Sequence, residues 1–237
     1  KLVKAENPDL SPEDDSLAFW DIYDSVHKAE FLKKKEEENL ARLDKKYGVF
    51  APAATNNDKK YFTIENSNVK LKISSMGGQI VEAHVKDYIS YHDFKDSAST
   101  ASSIQLFDED STMHFLRLRN NEFDSINTLD LNFEVAEATA SSIRLRAKTN
   151  DTSKYLEFHY HLDDSSYVAN YDINFVGLHK DLDPNKMDLR WNMTGLSTEK
   201  LASQERTICG VMFKCEGENR DYLNERGSDA LNEFGTD

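Results

Sequence analysis

The chain has 237 residues, with 29 Lys and Arg against 43 Asp and Glu, a formal charge of −14, 38% hydrophobic residues and a pI near 4.9. That length holds one domain, or one domain with an appendage, and is enough to bury a core. The acidic balance excludes an extended phosphate-binding surface, so nucleic acid is not an expected partner, and no apolar run approaches the ~18–20 residues that cross a bilayer.

Residues 11–47 contain no Gly and one Pro, and Ala, Leu, Glu, Lys and Asp dominate. Ser11 serves as an N-cap, Pro12 suits the first helical position, and Glu13, Asp14 and Asp15 complement the dipole. Lys45 and Lys46 fall in the last turn and Gly48 ends the helix. Phe19, Ile22, Val26 and Ala29 form one apolar stripe, and Leu40, Leu43 and Tyr47 another. The polar run Lys33-Lys34-Lys35-Glu36-Glu37-Glu38 between them interrupts any a/d seam, which argues against a coiled coil. The spacing predicts a helical arm that touches something at each end, followed by a linker over residues 51–57. No basic segment leading into an apolar stretch precedes it, so no signal peptide is visible.

Beyond residue 60 the period changes from helical to two. Residues 61–65 and 69–74 flank Asn66-Ser67-Asn68 as a hairpin, and Met76-Gly77-Gly78 turns into a strand over 80–86. Residues 90–103 are expected as a mobile surface loop. Leu129, Leu131, Phe133 and Val135 alternate with polar residues, which predicts a half-buried strand. The same alternation runs through Ile143/Leu145/Ala147, Leu156/Phe158/Tyr160/Leu162 and Tyr167/Ala169/Tyr171/Ile173/Phe175. It continues in Met187/Leu189/Trp191/Met193 and Thr207/Cys209/Val211/Phe213/Cys215. At least nine strands with polar turns predict a mostly β chain, an antiparallel sandwich with an N-terminal α-helical arm.

Few residues carry a chemical signal. Cys209 and Cys215 on one strand would sit roughly 20 Å apart, too far for a mutual disulfide unless residues 210–214 form a hairpin, for which Val211-Met212-Phe213 is poor turn material. His159 and His161 form an H-x-H on one strand, but they alternate with the apolar face, so they point to solvent with Glu157 and Asp163 rather than to a metal. Asp181-Leu182-Asp183-Pro184-Asn185 opens like a calcium loop, yet Lys186 stands where the tight-turn glycine belongs and Asn192 where the bidentate Glu belongs; an inter-strand turn is the expectation. Asn150-Asp151-Thr152 and Asn192-Met193-Thr194 fit the glycosylation sequon. G-x-S-x-G, P-loop and H-E-x-x-H patterns are absent, so no catalytic, cofactor-binding or metal residue is assigned.

One stretch is more specific. Lys46-Tyr47-Gly48-Val49-Phe50, then Tyr61 running through the Ile73-Ser74-Ser75-Met76-Gly77-Gly78 turn to Ile80, then Val85-Lys86-Asp87-Tyr88, resembles the start of the large periplasmic domain of YidC-type membrane protein insertases. Lys154 to Tyr160 with Tyr167 to Ile173 is similar to that family's consecutive long strands, Met187 to Trp191 to the strand after them, and Gln204-Glu205-Arg206 to the approach to the domain's end. The resemblance covers residues 46–237.

It implies a β-supersandwich of galactose-mutarotase-like form over residues 56–237, tethered by residues 1–55 after a first membrane helix and facing the periplasm from a bacterial inner membrane. It implies no enzymatic activity and no cofactor, with Sec translocon accessory subunits and nascent membrane proteins as partners. The family's insertion chemistry lies in its membrane helices, so no insertase residue maps onto this sequence. Two other readings compete. A mutarotase-like sugar-binding module or enzyme would draw acid and base groups from His84, His159 and Glu157. A secreted adhesion-like sandwich with a helical stalk would carry an upstream signal.

Overall fold

A computed structural model describes residues 15–96, 99–119, 125–183, 186–214 and 219–224. The first element is α1 (Asp15–Tyr47), with Lys45 and Lys46 in its last turn as the dipole favours. The expected N-cap at Ser11 and the side chains of Phe19, Ile22 and Val26 lie outside the described residues. Among its described side chains the helix is mostly exposed, Phe31, Leu32 and Leu40 included, and it packs on the rest at its C-terminal end. There Leu43 packs on the core, Tyr47 is buried, and the Tyr47 hydroxyl donates to Asp130 Oδ2 at 2.9 Å. Gly48, at φ +54, turns the chain into a 3-10 turn (Gly48–Phe50).

The expected linker is a correction. Its first part forms a short helix, α2 (Ala51–Thr55), with Pro near its start and Ala51, Ala53 and Ala54 buried. Phe50 is fully enclosed in the same cluster. Small side chains let this backbone approach the sandwich closely, so a composition that reads as a spacer is part of the core.

The strands are antiparallel throughout. β1 (Tyr61–Glu65), β2 (Val69–Ser74), β3 (Ile80–Lys86) and β4 (Ser103–Phe107) form one sheet in that order. The Asn66 side chain closes the first turn, accepting from the backbone N–H of Asn68 and Val69. Between β3 and β4, the expected loop contains α3 (Tyr91–Lys95), capped by the Ser90 hydroxyl on the Asp93 N–H.

A second sheet runs β10 (Ala169–Val176), β9 (Tyr155–Leu162), β8 (Ser142–Lys148), β7 (Glu134–Ala138). A third runs β11 (Asp188–Met193), β5 (Thr112–Arg119), β6 (Ser125–Asn127), and β12 (Gly210–Phe213) pairs β13 (Asp221–Asn224) by itself. One core joins the first three sheets: Ile64, Leu71 and Ile73 from the first, Leu145, Leu156 and Phe158 from the second, and Leu116, Leu118 and Ile126 from the third. This mostly antiparallel β architecture with a helical arm is the class the alternation predicts.

Two strand expectations shift. Over residues 129–135 the chain makes a 3-10 turn (Thr128–Asp130) before β7 begins at Glu134; Leu131 and Phe133 are buried, but β7 itself is exposed. Phe133 stacks on Phe158 at 4.6 Å. The residues expected as one strand over 207–215 divide into the end of α4 (Ala202–Ile208) and β12. Cys209 is exposed and free, and Cys215 lies outside the described residues. No described helix is long and apolar enough to cross a membrane.

Candidate functional site

The polar side of the second sheet holds most of the residues that sequence singled out. Glu157 is the surprise: it is 5% exposed, not solvent-facing. On β8, Arg144 donates from Nη1 to its Oε1 at 2.9 Å, and Arg146 from Nε to its Oε2 at 2.7 Å. Burial alone would raise this carboxyl, but the hydrogen bonds from Arg146 and Arg144 outweigh it and hold the group below the usual carboxylate range. The register pairs Arg146 with Glu157 across the strands, which is what places the Arg146 hydrogen bond.

His159, two residues on, has Nε2 2.9 Å from the Ser142 hydroxyl and Nδ1 3.4 Å from Asp172. His161 sits 2.9 Å from Asp163, and the two imidazoles stack at 6.2 Å. His84 lies on β3 in another sheet, 3.6 Å from Glu82 and 3.5 Å from the Ser103 hydroxyl. The candidate acid/base set of His84, His159 and Glu157 is therefore divided between two sheets, and each member is held by local partners. Among the described residues no group of three or more His, Cys, Asp or Glu is placed to hold a metal. In the calcium-like segment, Asp181 pairs with Lys154 at 2.8 Å, Asp183 with Lys186 at 3.3 Å, and Leu182 is buried, as an inter-strand turn requires. Pro184 and Asn185 lie outside the described residues.

The feature that sequence reasoning missed lies where the second and third sheets meet. His114 on β5 is 6% exposed, and its Nε2 is 3.2 Å from the Tyr160 hydroxyl. Tyr160 gives its proton to the Gly78 carbonyl at 2.7 Å, so His114 is the donor and carries its proton on Nε2. Burial pushes the His114 ring down to about 4, and it stays neutral at ordinary pH. Tyr160 and Tyr171 are a cross-strand pair stacked at 4.5 Å with planes 7° apart. Tyr171 and Trp191 then flank the imidazole at 5.9 and 5.8 Å.

Trp191 marks an opening. Register places Leu189, Trp191 and Met193 of β11 opposite Leu116, His114 and Thr112 of β5, hence on the core side of the sheet. The three β5 residues are buried, yet Leu189 is 51%, Trp191 59% and Met193 54% exposed. Across from them, Tyr171, Ile173 and Phe175 of β10 are only partly covered. β10 and β11 are each the terminal strand of their sheet, so the sandwich is open along that side. The alternation in β11 was legible; that its apolar side faces solvent was not.

An antiparallel β-sandwich with a helical arm, ordered polar groups tied in local pairs and an apolar opening along one edge is a fold suited to contact. Comparison with known proteins gives the lineage. The chain is 30% identical over 192 residues to the membrane protein insertase YidC of Parabacteroides distasonis, covering 80% of this chain and 29% of that protein. It is 31% identical over 166 residues to YidC of Phocaeicola vulgatus, covering 69% and 25%, and 25% identical over 218 residues to YidC of Bacteroides fragilis, covering 87% and 34%. The aligned part is about a third or less of each of these relatives. No protein-family model and no solved structure matches. Over most of its length the chain is similar to a part of YidC-type insertases.

Proposed function

We propose that this chain is the large periplasm-facing domain of an inner-membrane insertase, that it is non-catalytic, and that it assists insertion by contacting partners. The chain ahead of the core serves as the tether, with α1 as a spacer whose C-terminal end docks on the sandwich through Leu43 and Tyr47, and with Phe50 and residues 51–55 anchoring it in the core. The partners are accessory subunits of the Sec translocon and emerging membrane-protein segments. The likeness to YidC over most of the chain carries this reading. The pairing of Glu157, His159, His161 and Asp181 with neighbouring side chains gives them structural work and supports a binding rather than a chemical role.

In the full-length protein, deletion of residues 61–224 tests it. The expected result is loss of co-purifying Sec accessory subunits while insertion of translocon-independent substrates continues. Unchanged co-purification contradicts the partner role. Calorimetric titration of the isolated chain with mono- and disaccharides is expected to give no heat; saturable binding accompanied by turnover of the sugar contradicts the non-catalytic role.

A further inference from the structure

The polar side of the second sheet also carries a pocket that the proposed function does not use. It has a volume of about 320 Å³ and lies between β7, the end of β8 and the start of β9. That is enough room for a small molecule. Arg146, Lys148 and Lys154 line it against a single acid, Glu134, so three positive charges less one negative leave a local surplus of two. The chain as a whole carries −14, so the pocket runs against its surroundings. Glu157 and Asp181 lie outside the pocket wall and hold Arg146 and Lys154 from there. Their charges offset part of the surplus, so free donors matter more here than net charge.

Those donors are present. Arg146 uses only Nε on Glu157, and its guanidinium lies 4.2 Å above the Tyr155 ring. Among the described residues neither Arg146 Nη1 nor Nη2 has a hydrogen-bond partner, nor has the Thr152 hydroxyl. Lys148 reaches Glu134 in a pair that is exposed on both sides. Such a pair contributes little and yields to a stronger anion. A wall of free N–H and O–H groups with few acceptors selects an oxyanion, and a stacked arginine with two open nitrogens suits phosphate. A phosphate monoester brings close to two negative charges and three acceptor oxygens, whereas a carboxylate brings one charge and two oxygens. Val135 and Tyr155 add apolar surface for whatever bears the phosphate. An anionic bilayer repels a chain of this charge, so the phosphate arrives on a soluble molecule, not a lipid.

We propose that this pocket binds a small soluble phosphomonoester. The phosphate sits among Arg146, Lys148 and Lys154, and the organic part rests on Val135 and Tyr155. The site stands independently of which partners the domain contacts.

Titration calorimetry of the chain with phenyl phosphate, inorganic phosphate and benzoate tests it, with amide exchange on residues 134–155 locating the site. Phenyl phosphate is expected to bind saturably, more tightly than inorganic phosphate, and on the order of tenfold more tightly than benzoate. Two substitutions of exposed side chains are expected to move its affinity in opposite directions. Lys148→Glu weakens phenyl phosphate by about tenfold or more, and Glu134→Gln, which removes the competing carboxylate, tightens it several-fold. Both variants are expected to melt with the parent, since the Lys148–Glu134 pair is exposed. Absence of saturable binding, binding that neither substitution changes, or benzoate binding as tightly as phenyl phosphate overturns the proposal. So does slowed exchange confined to other parts of the chain.

Discussion

His114 and Glu157 show how burial sets behaviour one side chain at a time. His114 is held neutral by burial, with its ring near 4 against 6.5 in the unfolded chain. The unfolded state thus takes up a proton below pH 6.5 that the native state refuses until about pH 4. Stability from this group is complete above pH 6.5 and is lost as pH falls toward 4, by roughly 3 kcal/mol in all. His114→Phe removes the titration while Tyr160 keeps its bond to Gly78. Urea unfolding at pH 7 and pH 4.5 is expected to show a smaller acid loss in the variant than in the parent; an equal loss contradicts the assignment. Glu157 adds to the acid loss, since its lowered carboxyl must be protonated as pH falls through the folded value. Removing its partner by Arg146→Met costs about 1–3 kcal/mol, because the buried carboxylate then loses its Oε2 hydrogen bond and keeps those from Arg144 and Asn174 on Oε1. Sequence placed Glu157 on the polar side correctly and its environment wrongly. Two arginines on the neighbouring strand bury it, and cross-strand register is invisible in a single strand's alternation.

At the scale of elements, the turn after β2 and the junction after α1 are the points where local chemistry decides the fold. Gly78 sits at φ +61, and a β-carbon there would fall 2.7 Å from the Phe158 ring and 3.2 Å from Phe133. Gly78→Ala therefore combines left-handed strain with overpacking and is expected to cost about 2–4 kcal/mol. Gly48, at φ +54, has nothing within 4 Å, so Gly48→Ala carries the backbone term alone, about 1 kcal/mol. Thermal or denaturant unfolding of both variants checks the ratio; equal costs contradict the packing account. Likewise, Phe50→Ala in the buried turn after α1 costs about 3–5 kcal/mol. The strands at 61–65, 69–74, 80–86, 142–148 and 155–162 were legible because one face of each is buried and the other is wet. Residues 51–55 were not, because Ala and Pro carry no periodic signal and composition alone reads as a spacer. The β11 alternation was read correctly as a strand, but a pattern of two gives a face without saying whether anything covers it.

For the whole molecule, the charge of −14 and the lineage act together. A domain of this charge is repelled by anionic headgroups, and screening confines that repulsion to within about 10 Å at 0.1 M salt. The domain is accordingly expected to stand off the bilayer on its tether, and the isolated chain to stay in the supernatant when spun with anionic vesicles at low salt. Strong co-sedimentation contradicts this. The central claim is that these residues are a domain of a larger membrane insertase. Reading the coding frame on both sides tests it most directly. The account predicts one hydrophobic helix upstream and several downstream; a stop codon shortly after Asp237 contradicts it.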